Sequence, residues 1–185
     1  DLQVVNDGGN TGFLHISGNP TITMNEFLMN NDEGDPGTSE VIMDGGTVTV
    51  NGNATINDDN NGTATFTLNG GKFYAAGYLN VSDNLDGTAH LTINGGKMIT
   101  AGALRLGKDG GEDTGQVRVF LNGGLLQAES LSDIMISDTQ IILTGGALLI
   151  GSDSVSEDDM QQLIDDGTIV VDNNDVILVT DGNYT

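Results

Sequence analysis

Five stretches of the chain repeat one arrangement of apolar and polar positions. VIMDGG (41–46), FTLNGG (66–71), LTINGG (91–96), VFLNGG (119–124) and IILTGG (141–146) each consist of an alternating segment, one polar residue and two glycines. The first glycines fall at 45, 70, 95, 123 and 145, giving spacings of 25, 25, 28 and 22 residues. A period in that range marks repeat architectures, in which each unit buries its apolar side only by stacking on its neighbours. The second copy can be read in full. Ala64 to Leu68 alternates with period two, Asn69-Gly70-Gly71 supplies a sharp corner, and Lys72 to Ala76 alternates again. Gly77 turns the chain, Tyr78 to Val81 reads as a third short strand, and residues 82–87 read as a loop. Three strands and three corners in about 25 residues predict one coil of a parallel β-helix. A leucine-rich repeat has a similar period, but its Leu and Asn ladder is absent.

Aligning the copies predicts which side chains stack inside. Phe66, Leu91 and Val119 form one column, and Leu68, Ile93 and Leu121 a second. Phe73, Met98 and Leu126 form a third, and Leu79, Leu104 and Leu131 a fourth. Every inward position is apolar, as a solenoid core requires. The expected fold is therefore all-β, a right-handed single-stranded parallel β-helix of about six coils, the hand following from the crossover rule for parallel strands. One domain spans 1–185: an irregular first coil at 1–40, regular coils at 41–150, and a capping helix with closing strands at 151–185. The helix is expected after Ser156-Glu157-Asp158-Asp159, a capping box with acids in the first turn, where Met160, Leu163 and Ile164 follow at helical spacing. Closing strands are expected at Thr168 to Val171 and Val176 to Thr180. The chain opens within the pattern and without Met, and we expect it to be a module of something larger.

Composition narrows the function. There are 27 Asp plus Glu against 5 Lys plus Arg, a formal net charge of −22, and the cations are scattered. Such a surface repels phosphates and anionic membranes, so we expect no nucleic-acid partner. No run of 18 apolar residues exists, and no membrane insertion is expected. Zero Cys excludes disulfides, zinc-thiolate sites and thiol catalysis. The 28 Gly mark coil corners rather than disorder, because 37% of residues are hydrophobic and Val, Ile and Leu recur throughout.

The LNGG-type strands, the stretch Ala101-Gly102-Ala103-Leu104-Arg105-Leu106-Gly107 and the closing segment from Gln161 to Val171 resemble a known kind of repeat. It is the autotransporter-like, PEP-CTERM-type β-solenoid repeat of secreted bacterial polysaccharide-degrading proteins. The resemblance covers roughly residues 40 to 180 and implies a secreted or cell-surface location, a tethered catalytic domain and a polysaccharide ligand. It transfers no site residues.

Catalysis finds little support in the residues. A lyase acting on uronates needs a cation to neutralise the carboxylate and a base to take the proton. The basic side chains are Lys72, Lys97, Arg105, Lys108 and Arg118, with His15 and His90. His90 is expected on the outward side of its strand between Thr65 and Arg118, as a solvated residue. No GxSxG, HExxH or P-loop motif occurs. A pair of carboxylates for glycoside hydrolysis cannot be singled out among 27 acids.

Two constellations remain. Lys72, Tyr74 and Lys97 point outward after successive NGG corners, and Tyr78, Asn80 and Arg105 come from the next face. Together they predict a shallow platform where tyrosine rings stack on sugar faces while Lys, Arg and Asn bond hydroxyl or sulfate groups. Outward Thr47, Thr49, Thr65 and Thr67 suggest an ice-binding array, but the column runs Thr47, Lys72, Lys97, Leu125 and breaks the pattern. The second constellation is the acidic loops, with Asp58 and Asp59, Asp83 and Asp86, and Asp109 and Asp113 on successive turns. Hard oxygen ligands on adjacent turns suit Ca²⁺, although no loop has the EF-hand spacing and Asp and Asn favour turns for local reasons. We expect a monomeric, non-catalytic carbohydrate-binding module. The alternatives are a structural spacer or adhesin segment and, with less support, a β-helix lyase or hydrolase.

Overall fold

The computed structural model describes residues 1–4, 9–30, 36–58, 61–83, 86–107, 114–134, 137–151 and 155–172. The first coil holds β1 (Leu2–Val4), β2 (Thr11–Ile16) and β3 (Thr21–Met24). The second holds β4 (Phe27–Met29), β5 (Thr38–Met43) and β6 (Thr47–Val50), and the third β7 (Ala54–Thr55), β8 (Thr63–Leu68) and β9 (Lys72–Ala75). The fourth holds β10 (Leu79–Asn80), β11 (Thr88–Ile93) and β12 (Lys97–Thr100). The fifth holds β13 (Ala103–Arg105), β14 (Gln116–Leu121) and β15 (Leu125–Ala128), and the sixth β16 (Ser130–Ser132), β17 (Thr139–Leu143) and β18 (Ala147–Ile150). Helix α1 (Glu157–Asp165) and strand β19 (Ile169–Val171) follow. Each coil contributes one strand to each of three parallel sheets. The first sheet runs from β1 through every third strand to β16, the second from β2 to β17 and then β19, and the third from β3 to β18. The protein is a parallel β-solenoid of six coils.

All four predicted columns stack in register. Phe66, Leu91 and Val119 are Cα partners, as are Leu68, Ile93 and Leu121. Phe73, Met98 and Leu126 form the third column, and Leu79, Leu104 and Leu131 the fourth. Most of these side chains have no solvent exposure at all. Phe27, Phe66 and Phe73 meet edge to face, with ring centroids 5.3 to 5.9 Å apart, the arrangement the ring quadrupole favours. Ala54, Ala64 and Ala75, all buried in the third coil, are the small neighbours that leave room for the rings.

The first coil is more regular than the sequence suggests. All six residues of β2 pair with β5, and β3 pairs with β6 throughout. The corner between β2 and β3 is Ser17-Gly18-Asn19-Pro20, which lacks the double glycine, yet Gly18 adopts φ 75° just as the second glycine of the NGG corners does. At the other end, α1 follows β18 where a further strand of the first sheet would be due. Its capping box forms as expected: the Ser156 hydroxyl accepts from the Asp159 backbone N–H at 3.1 Å, and the Asp159 carboxylate accepts from the Ser156 N–H at 3.0 Å. Met160 is buried, Leu163 and Ile164 lie against the core, and β19 pairs with β17. The strand expected at 176–180 lies outside the described residues.

A polar column runs inside the corner that follows the first sheet. Asn30 and Asn57 are 1% and 0% exposed, and Ser82 is equally buried. Asn30 Nδ2 donates to Asn57 Oδ1 at 3.1 Å and to the Gly37 carbonyl at 3.2 Å, and Asn57 Nδ2 donates to the Gly62 carbonyl at 3.3 Å. These amides satisfy backbone groups where the chain leaves the ladder, a need that apolar side chains cannot meet. Asn57→Ala is expected to cost about 1 to 3 kcal/mol, read from the midpoint of urea unfolding, because it strands buried partners.

Candidate ligand-binding face

The outer face of the third sheet carries two columns. One runs Thr21, Thr47, Lys72, Lys97, Leu125, Ala147, and the other Thr23, Thr49, Tyr74, Ile99, Gln127, Leu149. Lys72 and Lys97 are exposed, while Tyr74 and Ile99 are half-buried. The Lys72 ammonium stands 5.4 Å from the centroid of the Tyr74 ring, within cation–π range. Lys72 and Lys97 are direct Cα partners on adjacent coils, whose spacing is about 4.8 Å. At that distance two ammonium groups repel by under about 1 kcal/mol in bulk water and by several kcal/mol at an effective dielectric near 20.

The second half of the predicted platform lies beyond the next corner. Gly77 leaves no room for a side chain there: an added Cβ would lie 3.0 Å from the Gly52 carbonyl oxygen, with the Asn53 amide closer still. Asn53 Oδ1 accepts from the Tyr78 backbone N–H at 3.2 Å and fixes the exit from the turn. The Arg105 guanidinium stacks over the Tyr78 ring at 4.0 Å. Its Nε lies 3.1 Å from the Asp133 carboxylate. Two aromatic–cation pairs therefore stand on adjoining faces of neighbouring coils: Tyr74 with Lys72, and Tyr78 with Arg105.

Asn80 is not part of the exposed surface. It is 2% exposed, and its Nδ2 donates to Asp83 Oδ1 at 2.7 Å and more weakly to Thr55 Oγ1 at 3.5 Å. Thr55, also buried, precedes it in the same outward column. Alternation puts Asn80 opposite the inward Leu79, but the residue is buried rather than open to a ligand. Its Oδ1 is buried without a hydrogen-bond partner.

The acidic loops divide between what the structure describes and what it does not. Asp59, Asp109 and Asp113 lie outside the described residues. Asp83 is engaged by Asn80, and Asp86 accepts from the Thr114 hydroxyl at 3.3 Å. Among the described residues, Asp58 included, no group of three or more acidic or histidine side chains is close enough together to hold a metal ion. Comparison gives no further guide. No family model, curated protein or solved structure matches this chain.

On the second sheet, His90 stands between Thr65 and Arg118 as expected. Its Nε2 is 3.3 Å from Gln116 Oε1, and its ring meets Phe120 edge to face. Arg118 is bound to Asp138, whose carboxylate it contacts through Nη2 and whose carbonyl accepts from Nη1 at 2.6 Å. Gln116 donates to the same carboxylate at 2.7 Å. The amide of Gln116 and then the guanidinium of Arg118 hold Asp138 below its usual pKa of 3.8. A depressed pKa adds stability that is present above the usual value and lost as pH falls through the folded one. The melting-temperature gap between the protein and Asp138→Asn is therefore expected to be constant from pH 7 to about 5 and to close below pH 4. Comparing the two proteins at each pH removes the general relief of charge repulsion that acid brings to both.

A surface ladder escaped the sequence reading. Thr144 donates to Asn122, Asn122 to Asn94, Asn94 to Asn69 and Asn69 to Asp44, at 2.8 to 2.9 Å, and His15 Nε2 meets the other oxygen of Asp44 at 2.7 Å. The polar residue before each double glycine was its only signal. The Asn69 amide and then His15 hold Asp44 below the ordinary carboxylate value. The aligned amides and hydroxyl polarise one another toward that carboxylate.

Proposed function

We propose that the protein is a non-catalytic carbohydrate-binding module of a secreted polysaccharide-degrading protein. The carrying observation is the pair of aromatic–cation contacts, Lys72 with Tyr74 and Arg105 with Tyr78, on adjoining outer faces of one rigid stack. Such rings offer apolar surface to a sugar face at small entropic cost, and the neighbouring cations offer donors to its oxygens. The strands beneath are fixed by pairing on both sides, so little ordering opposes binding. Affinity electrophoresis and calorimetry against plant and marine polysaccharides test the reading. Binding to at least one polymer is expected, and Tyr78→Ala should weaken it about tenfold, or ~1.4 kcal/mol, with the melting temperature within a few degrees of the parent. If no polymer binds, the carbohydrate-binding reading fails, and a spacer or adhesin segment is the alternative.

A further inference from the structure

The described cations differ in how they are neutralised. Arg105 pairs with Asp133 and Arg118 with Asp138. Among the described residues, Lys72 and Lys97 have no carboxylate partner. They are also the two cations that stack directly on one another, both exposed, in a column bounded by Thr47 on one side and Leu125 on the other. Beside them, two residues along each strand, run Tyr74 and Ile99, a short aromatic and aliphatic strip parallel to the charged one. Successive residues on one face of a strand are about 6.6 Å apart. A cationic strip and an apolar strip at that separation suit a ligand with a flat apolar face and an anionic substituent at its edge. An anion bridging both ammonium groups would remove their mutual repulsion on binding.

We infer that the ligand is an anionic glycan, carrying sulfate or carboxylate groups, and that Lys72 and Lys97 together hold one such group while the sugar ring lies over Tyr74 and Ile99. The inference rests on the carbohydrate-binding reading and narrows it to a ligand class. The high negative charge elsewhere works against it at long range, but that field is screened over about 8 Å at physiological ionic strength, whereas the paired lysines act at contact. The arrangement thereby rejects polyanions that lack a ring to lie on the apolar strip.

Matched polymers test this: dextran sulfate with dextran, carrageenan with agarose, and polygalacturonate with its methyl ester, with polyphosphate as a sugar-free polyanion. At least one anionic member is expected to bind at least tenfold more tightly than its neutral counterpart. Lys72→Gln and Lys97→Gln should each lose roughly three- to tenfold of that affinity and flatten its salt dependence, while Thr47→Lys, which extends the column by one coil, should tighten it. Equal binding of neutral polymers, unchanged in the Lys72→Gln/Lys97→Gln double variant, would overturn the ligand class and leave carbohydrate binding standing. Polyphosphate binding as tight as that of the sulfated glycan would also overturn it, by reducing the site to general charge attraction. No binding by any glycan would overturn both readings.

Discussion

Gly96→Ala is expected to destabilise the protein by about 4 kcal/mol or more, enough to cost most of its soluble yield. Gly96 sits at φ 76°, where an L-residue pays about 1 to 2 kcal/mol. A Cβ there would also lie 2.5 Å from the carbonyl oxygen of Gly71 and 2.8 Å from the carbonyl carbon of Gly70. Both atoms are backbone of the preceding coil, so the clash can be relieved only by separating two coils that share a ladder on either side of the corner. Gly9 is the matching control. It has a similar φ, 72°, but an added Cβ would meet nothing within 4 Å. Gly9→Ala should therefore cost only the conformational part, about 1 to 2 kcal/mol. Urea unfolding of the two variants separates backbone strain from steric exclusion between coils.

Phe66→Ala should cost about 3 to 5 kcal/mol. Phe66 is 1% exposed and touches the rings of both Phe27 and Phe73, so its removal opens a cavity bounded by strands on all three sheets. Those strands are held by parallel ladders above and below, which prevents collapse into the space. Phe13→Ala, at a position 60% exposed on the outer face of the first coil, should change stability by no more than about 0.5 kcal/mol. The contrast tests whether the three rings act as the aromatic centre of the core.

Periodicity carried most of the architecture because it reports directly on which side of a strand is buried. The column Phe66, Leu91, Val119 could be written down from the NGG spacing alone, since one residue of misalignment would have put Thr65, His90 and Arg118 inside. Strand Phe27–Met29 is not legible because it follows the first coil, whose Ser17-Gly18-Asn19-Pro20 corner lacks the double glycine that marks the later repeats. Other features depend on information that a two-residue period does not contain. Asn57 in a loop reads as a turn residue whether it faces solvent or, as here, the interior. Asn80 alternates outward, but alternation says nothing about what then covers it. The pairing of Arg105 with Asp133 and of Arg118 with Asp138 joins residues 28 and 20 positions apart on neighbouring coils, through side-chain directions that sequence spacing leaves open. Lys72 above Lys97 was legible from the repeat, whereas the absence of a counter-charge beside them among the described residues is visible only in three dimensions.

A glycan bound as proposed lies across the third to fifth coils, over the outer faces that meet at Gly77. Amide hydrogen exchange with and without the tightest-binding polysaccharide tests that placement most directly. The predicted result is slower exchange confined to 72–80 and 97–105, with 88–93 and 116–121 on the second sheet unchanged. Protection confined to the second sheet, or no change anywhere at saturating polysaccharide, would contradict it.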